Sequence, residues 1–247
     1  MSLYRNATFA AITIGQFNKI ESYAFHYDWN LAFEGKSRGN QHLTRTVRLI
    51  KHLWERLHKD EDLENDNELL VELDVAVAGG LLHDIGLVEG NEGHCNTGRK
   101  IAEVLLDELC IGDPIKERIL HCIQAHDGEI PAKSIEAKLV HDADTIDKLG
   151  PLGAIRHIWK LCLLGEKEYT SEELETLIPK HLESRFNNLY LPESKELAGK
   201  LKDLQIKLFQ SSEMMNRLVN FIYVSAKSGV PVDVMMGSLL ENVKIDP

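Results

Sequence analysis

Histidines and carboxylates stand in this sequence at places where a stripe of buried apolar residues should continue. Leu70, Leu73, Val77 and Leu81 recur at three- and four-residue steps, draw one buried face down a helix and end at the dipeptide His83-Asp84. Leu43, Val47, Ile50, Trp54 and Leu57 do the same for a second helix, with His42 at its N-terminal mouth. In a third, His126 continues the stripe Ile115, Ile119, Cys122, whereas His121 points to another face with Arg118 and Ala125. A fourth helix, begun by Pro131 and Ser134, carries His141, Asp142, Asp144 and Asp147 before Gly150-Pro151 ends or bends it. Helical phase does not choose among these acids, since Ile135, Leu139, Asp142 and Ile146 make as good a stripe as Val140, Asp144 and Asp147.

An ionised carboxylate buried without a partner costs several kcal/mol or takes up a proton. Buried His and Asp together therefore imply either hydrogen-bonded pairing or a bound cation. Imidazole and carboxylate donors suit Fe, Mn, Co, Ni, Zn or Mg, and nothing here repeats the H-E-x-x-H zinc helix. Residues on four helices can converge on one such point. The four cysteines, Cys95, Cys110, Cys122 and Cys162, form no C-x-x-C pair and read as free thiols outside the site, Cys95 beside His94 included.

The elements that must position these residues are helical almost throughout, which predicts an all-α single domain over 1–247. A metal-site core at about 40–150 is followed by a helical extension at about 151–247. Gly86, Gly90 and Gly93 mark a loop, and Asn96 or Thr97 can cap a helix through Ile101, Leu105 and Leu109, leaving His94 in the loop. Gly112-Asp113-Pro114 offers a break, an N-cap and a proline at the first helical position. Thr170 and Glu173 form a capping-box pattern, and amphipathic helices run on to about Lys244. Gly79 and Gly80, costly inside a helix, suggest a close approach by another element or a ligand.

Composition narrows the partners. A formal net charge of −11 argues against holding a nucleic-acid backbone, yet leaves a nucleotide substrate open. Val75 to Leu82, the longest apolar stretch, is far short of the ~18 to 20 residues of a membrane span. Phe9 to Ile14 lacks the features of a secretory leader, so a cytoplasmic protein is expected.

With these residues in view, His42, His83-Asp84 within LLHDIG and Asp144 within DADTIDKLG resemble the H, HD and D elements of the HD superfamily of metal-dependent phosphohydrolases. The likeness extends through Glu136 to Arg156 and more loosely through HLESRFNNLYLPESKELAGKL, covering roughly residues 40 to 215. His126-Asp127 and His141-Asp142 show how easily the dipeptide arises by chance, so the specificity lies in four elements in order. The resemblance implies a helical bundle of the HD type in which His42, His83, Asp84 and Asp144 bind a divalent ion. It also implies a second ion in some members, held by two further histidines, here matched by His94 and His126, with Asp84 as the bridge. The implied activity is hydrolysis of a phosphoester of a nucleotide or other small phosphorylated metabolite by a metal-activated hydroxide, with Asp147 as a candidate proton acceptor. Asp142 and Asp147 are alternatively outer partners that orient a histidine or a water. Two other readings accompany it: a di-iron oxygenase, and a regulatory module that has lost catalysis. Many relatives carry Lys after HDIG where this chain has Leu87; Arg45, Arg99, Lys148 and Arg156 are the candidates to replace its phosphate contact. For His26, His52, His58, His157 and His181 a structural role is expected.

Overall fold

The computed structural model describes residues 11–31, 41–61, 66–164, 169–208, 212–230 and 234–235. They form ten α-helices and no strand, so the expected all-α class is what the chain adopts. They group into two compact units, the first holding the N-terminal helix and His42–Asp144, the second Thr145 onward.

In the first unit, α1 (Ile14–Asn30), α2 (His42–Leu57) and α5 (Asp113–Ala125) pack around α3 (Asn67–Leu82). Every residue of α3 from Asp74 to Leu82 is buried, which makes it the central helix of that unit. Asp74 is anchored there because Ala11 and Ile12 donate their backbone N–H groups to its carboxylate at 3.0 and 3.3 Å. The expected stripe of α2 is buried at Leu43, Val47, Ile50 and Trp54. Burial of side chains this size contributes about 1.5–3 kcal/mol each.

Gly79 permits the packing of α3 on α5, since a Cβ there would stand 2.6 Å from the Cβ of Cys122. The close approach foreseen at the glycine pair is thus a helix contact. At α5 the cap falls one residue earlier than expected: Gly112 is the N-cap, and Asp113 and Pro114 open the helix. Ser134 caps α6 (Ile135–Asp147), its Oγ accepting from the Ala137 N–H at 3.4 Å.

In the second unit, α7 (Gly150–Leu164) packs on α8 (Ser171–Asn187), α9 (Pro192–Leu208) and α10 (Ser212–Lys227). Gly150, at φ +68, starts α7 in the left-handed region and ends the run of α6, as the Gly-Pro pair predicts. The capping box at Thr170 and Glu173 forms in full. The helical pattern expected as far as Lys244 lies outside the described residues beyond 235. No helix among the described residues is long and apolar enough to cross a membrane.

Candidate metal centre

Four histidines sit at helix ends. His42 opens α2, directly after Gln41, which is held in the left-handed region at φ 56. Such strain in a non-glycine residue gathers at functional sites. His83 closes α3 and His126 closes α5. His94 opens α4 (His94–Glu108) rather than preceding it in a loop, because Gly93 takes the N-cap place with φ +66. Asp84 follows His83 at φ −95, ψ 7 and begins a short 3-10 turn, Ile85–Glu89. Gly86 in that turn lets α4 approach, since a Cβ there would meet the His94 carbonyl oxygen at 1.9 Å. Asp144 comes from within α6 and is buried.

Helix ends also decide which ring nitrogen faces inward. The last carbonyls of a helix lack intrahelical donors. His83 Nδ1 donates to the carbonyl of Gly80 at 2.8 Å and His126 Nδ1 to that of Ile123 at 2.7 Å. His94 Nδ1 donates to Asn91 at 2.9 Å. In the neutral ring the proton is then on Nδ1, and Nε2 presents a bare lone pair.

These lone pairs converge. His42 Nε2 lies 3.1 Å from His83 Nε2 and 3.1 Å from Asp144 Oδ1, and His83 Nε2 is 3.4 Å from the same carboxylate oxygen. Asp84 Oδ2 is 3.4 Å from both imidazoles. Its other oxygen, Oδ1, faces His126 Nε2 at 3.4 Å and His94 Nε2 at 3.8 Å. His94 and His126 bring their own Nε2 atoms to 3.1 Å. Two lone pairs at that distance repel unless a proton or a cation lies between them. Donors about 2.1 Å from an ion, at angles between 90° and 109°, stand roughly 3.0 to 3.4 Å apart. The residues present therefore fit one divalent ion among His42, His83, Asp84 and Asp144, and a second against His94 and His126 with Asp84 shared.

Electrostatics agree with that fit. Burial works against charging His83, but Asp84 and Asp144 outweigh it and raise its pKa to about 10. Burial likewise opposes ionisation of Asp84, yet His83, His126 and His42 hold its carboxyl well below the usual range. The carboxylates thus draw a positive charge into the cluster, and a proton on His83 supplies it in the metal-free chain. Burial and then the neighbouring His126 push His94 down.

Of the six candidate ligands read from the sequence, all six meet in this cluster. His121 does not, since its Nε2 accepts from the backbone of Lys133 at 3.2 Å. Asp142 is fully buried on α6. Asp147, one turn beyond Asp144, belongs to the second unit, where Arg156 Nη1 donates to its carboxylate and, at 3.2 Å, to its carbonyl. Arg99 is engaged by Gln124 and Glu117, and Leu87 is buried.

Two participants went unassigned at the level of sequence. Cys95 Sγ lies 3.6 Å from His94 Nε2 and 3.6 Å from His126 Nδ1, while burial and a bond to Asp127 push its thiol pKa up. His141 donates from Nδ1 to the backbone carbonyl of His126 at 2.9 Å, bracing the end of α5. The adjacency of Cys95 to His94 was visible, but neighbours in a helix diverge by about 100°, so adjacency alone did not place the sulfur.

All-helical architecture with helix-end imidazoles around shared carboxylates defines a class of helical proteins with a candidate divalent-metal centre. The family model for the HD domain, a family that typically includes metal-dependent phosphohydrolases, matches residues 40–149. The fold resembles that of Bacillus subtilis YpgQ, with 17% identity and a TM-score of 0.58 over 80% of this chain and 95% of that one. A Lactobacillus plantarum protein gives 21% identity and a TM-score of 0.59, over 80% and 95% of the two chains. YpgQ in complex with ADP matches at 17% identity and a TM-score of 0.58, over 80% and 94%.

Proposed function

We propose that this chain is a divalent-metal-dependent phosphohydrolase that cleaves a phosphoester of a small phosphorylated substrate, a nucleotide being the favoured class. His42, His83, Asp84 and Asp144 hold one ion; His94 and His126, with Asp84 shared, hold a second. The observation that carries the proposal is Asp84, whose two oxygens face two separate pairs of imidazole Nε2 atoms. The ADP complex of YpgQ supports a nucleotide.

Bound divalent ions in such a site supply a Lewis acid and lower the pKa of a coordinated water toward neutrality. The chain's own residues do the rest. Backbone carbonyls lock the His83, His94 and His126 rings with Nε2 inward, so no reorientation is needed on loading. Asp147 is proposed to accept a proton, its carboxylate held in one orientation by Arg156.

The test is metal analysis of the purified chain, followed by hydrolysis of p-nitrophenyl phosphate, its bis-ester and ADP. Metal in the protein, with turnover of at least one ester lost in Asp84→Ala, is the expected result. A metal-loaded chain inactive on all three defeats the hydrolase reading. Asp147→Asn should lower kcat and flatten the acid limb of the pH–rate profile; an unchanged profile removes Asp147 from the reaction.

A further inference from the structure

His141 lies outside the six candidate ligands, yet it is bonded to one of them. It is buried on α6, three residues before Asp144, so the two share a helical face. Asp144 turns to His42 and His83. His141 reaches the other half of the cluster, where its Nδ1 lies 2.9 Å from the backbone carbonyl oxygen of His126. A carbonyl only accepts, so Nδ1 carries the proton and donates it.

The His126 carbonyl needs a donor from outside α5, because His126 is the C-cap and the last carbonyls of a helix have no intrahelical N–H. The place of the donor is shaped by the turn that follows. Gly128 stands at φ +88, where a Cβ would lie 3.3 Å from His141 Cε1 and 4.0 Å from its Nδ1. A residue without a side chain at that turn lets the ring rest against the backbone.

His126 is thus fixed twice. Its ring Nδ1 donates to the Ile123 carbonyl within α5 at 2.7 Å, which sets the rotation of the ring. Its backbone is bonded to α6 through His141, which sets where the ring is carried. At the tip of that ring, Nε2 stands 3.1 Å from His94 Nε2 and 3.4 Å from Asp84 Oδ1, so a small swing of the helix end changes both spacings at once. Arg118 and Glu136 join α5 to α6 separately at 2.7 Å, about two turns earlier on α5. Loss of the His141 bond therefore loosens the end of α5 and leaves the two helices paired. The ligands of the first ion come from α2, the end of α3 and α6, so a loosened end of α5 moves none of them.

We propose that His141 is a positioning residue for the second ion, holding the His126 backbone so that Nε2 meets His94 and Asp84 at the spacing of a divalent site. The inference rests on the two-ion reading of the cluster and adds the residue that sets the affinity of one ion without serving as its ligand.

The experiment titrates the metal-stripped full chain with manganese by equilibrium dialysis, comparing the wild type with His141→Leu and His141→Asn. Leucine fills the space without a donor, whereas the amide nitrogen of asparagine stands as far along the side chain as Nδ1 and donates. The wild type should take up two ions. His141→Leu should weaken the second by roughly tenfold to a hundredfold, as loss of a partner behind a metal ligand does, and leave the first unchanged. His141→Asn should restore most of that loss. Should leucine unfold the chain, Gly128→Ala gives a second route: it is strained at φ +88, crowds Cε1 and should again weaken the second ion selectively. Equal weakening of both ions, or a loss that His141→Asn does not restore, marks a general packing effect and overturns the proposal. A wild type with one ion or none overturns the two-ion reading and this inference with it. A His141→Leu variant that keeps both wild-type affinities overturns this inference alone.

Discussion

In the first unit four imidazoles converge on Asp84 and Asp144; in the second, two imidazoles stack on each other, and one of them accepts a hydrogen bond from Arg185. The same side chain is driven in opposite directions. Burial opposes a charge on His83, but two carboxylates override it and lift the ring to about 10. Burial and cations act together on His157 and His181 and bring them to about 4 and about 3. A histidine therefore does not announce its own charge: carboxylates raise the pKa of one ring, and burial with nearby cations lowers that of another.

The sharpest break of the first arrangement is Asp84→Ala, which removes the one carboxylate common to both halves of the cluster. A protein metal site binds with roughly 10–16 kcal/mol, so one donor among four is worth about 3 kcal/mol, near a hundredfold in affinity. Both ions should weaken, and hydrolysis should fall at least as far. Elemental analysis after dialysis reads this directly, and a full complement of two ions in the variant contradicts the shared carboxylate. The second unit should not respond, so its histidine resonances serve as the control.

Metal affinity should also depend steeply on pH. Loading an ion at His83 displaces a proton from a ring with a pKa of about 10, so affinity rises by about tenfold per pH unit below that value and levels above it. A chelator competition between pH 6.5 and 8.5 measures the slope. A flat profile shows that His83 enters the exchange already neutral.

Gly86→Ala targets one half of the cluster only. Its Cβ would stand 1.9 Å from the carbonyl oxygen of His94, a backbone atom that cannot turn aside. The start of α4 must shift, and overpacking of this kind typically costs about 1–3 kcal/mol. The ion against His94 and His126 should be lost first, leaving a single ion per chain. Loss of both ions together would mean that the two halves cannot load separately.

Much of this was legible in the sequence, for identifiable reasons. The start of α5, the break at Gly150 and the box at Thr170 and Glu173 follow from local chemistry, which a few residues decide. His126 was separable from His121 because α5 has one buried face. Asp142 and Asp144 were not separable by phase, because α6 is buried nearly all round: Leu139, Val140, Ala143, Asp142, Asp144 and Ile146 are each at most 2% exposed. A helix enclosed on every side has no stripe to read. The start of α4 was misplaced because Gly93, in the left-handed region, caps the helix without a side chain. The His157–His181 stack joins residues on two helices, and no local pattern encodes such a meeting.

The two regions should also give opposite pH limbs to the stability of the metal-free chain. His83 is raised above its unfolded value of about 6.5, so its contribution is complete below that pH and is lost as pH rises through about 10. His157 and His181 are depressed, so theirs is complete above about 6.5 and is lost as pH falls through about 4 and about 3. Melting temperatures of chelated protein should fall on both sides. The double variant His157→Gln, His181→Gln should flatten the acid limb, and His83→Gln the alkaline one. An acid limb that survives the double change places its origin elsewhere.

Cys95 marks the smallest expected effect. Its sulfur stands as near to His94 Nε2 as a donor of the same ion would, which invites a thiolate reading. Against that, burial and the bond to Asp127 keep the proton on sulfur, and giving it up beside two carboxylates is unfavourable. His126 Nδ1, 3.6 Å from the sulfur, is committed to the Ile123 carbonyl. Cys95→Ser should therefore leave the number of bound ions unchanged. The cobalt-substituted wild type should show no thiolate charge-transfer band. A strong near-ultraviolet band that vanishes in Cys95→Ser would place a soft donor at the second ion and shift its metal preference toward thiophilic ions.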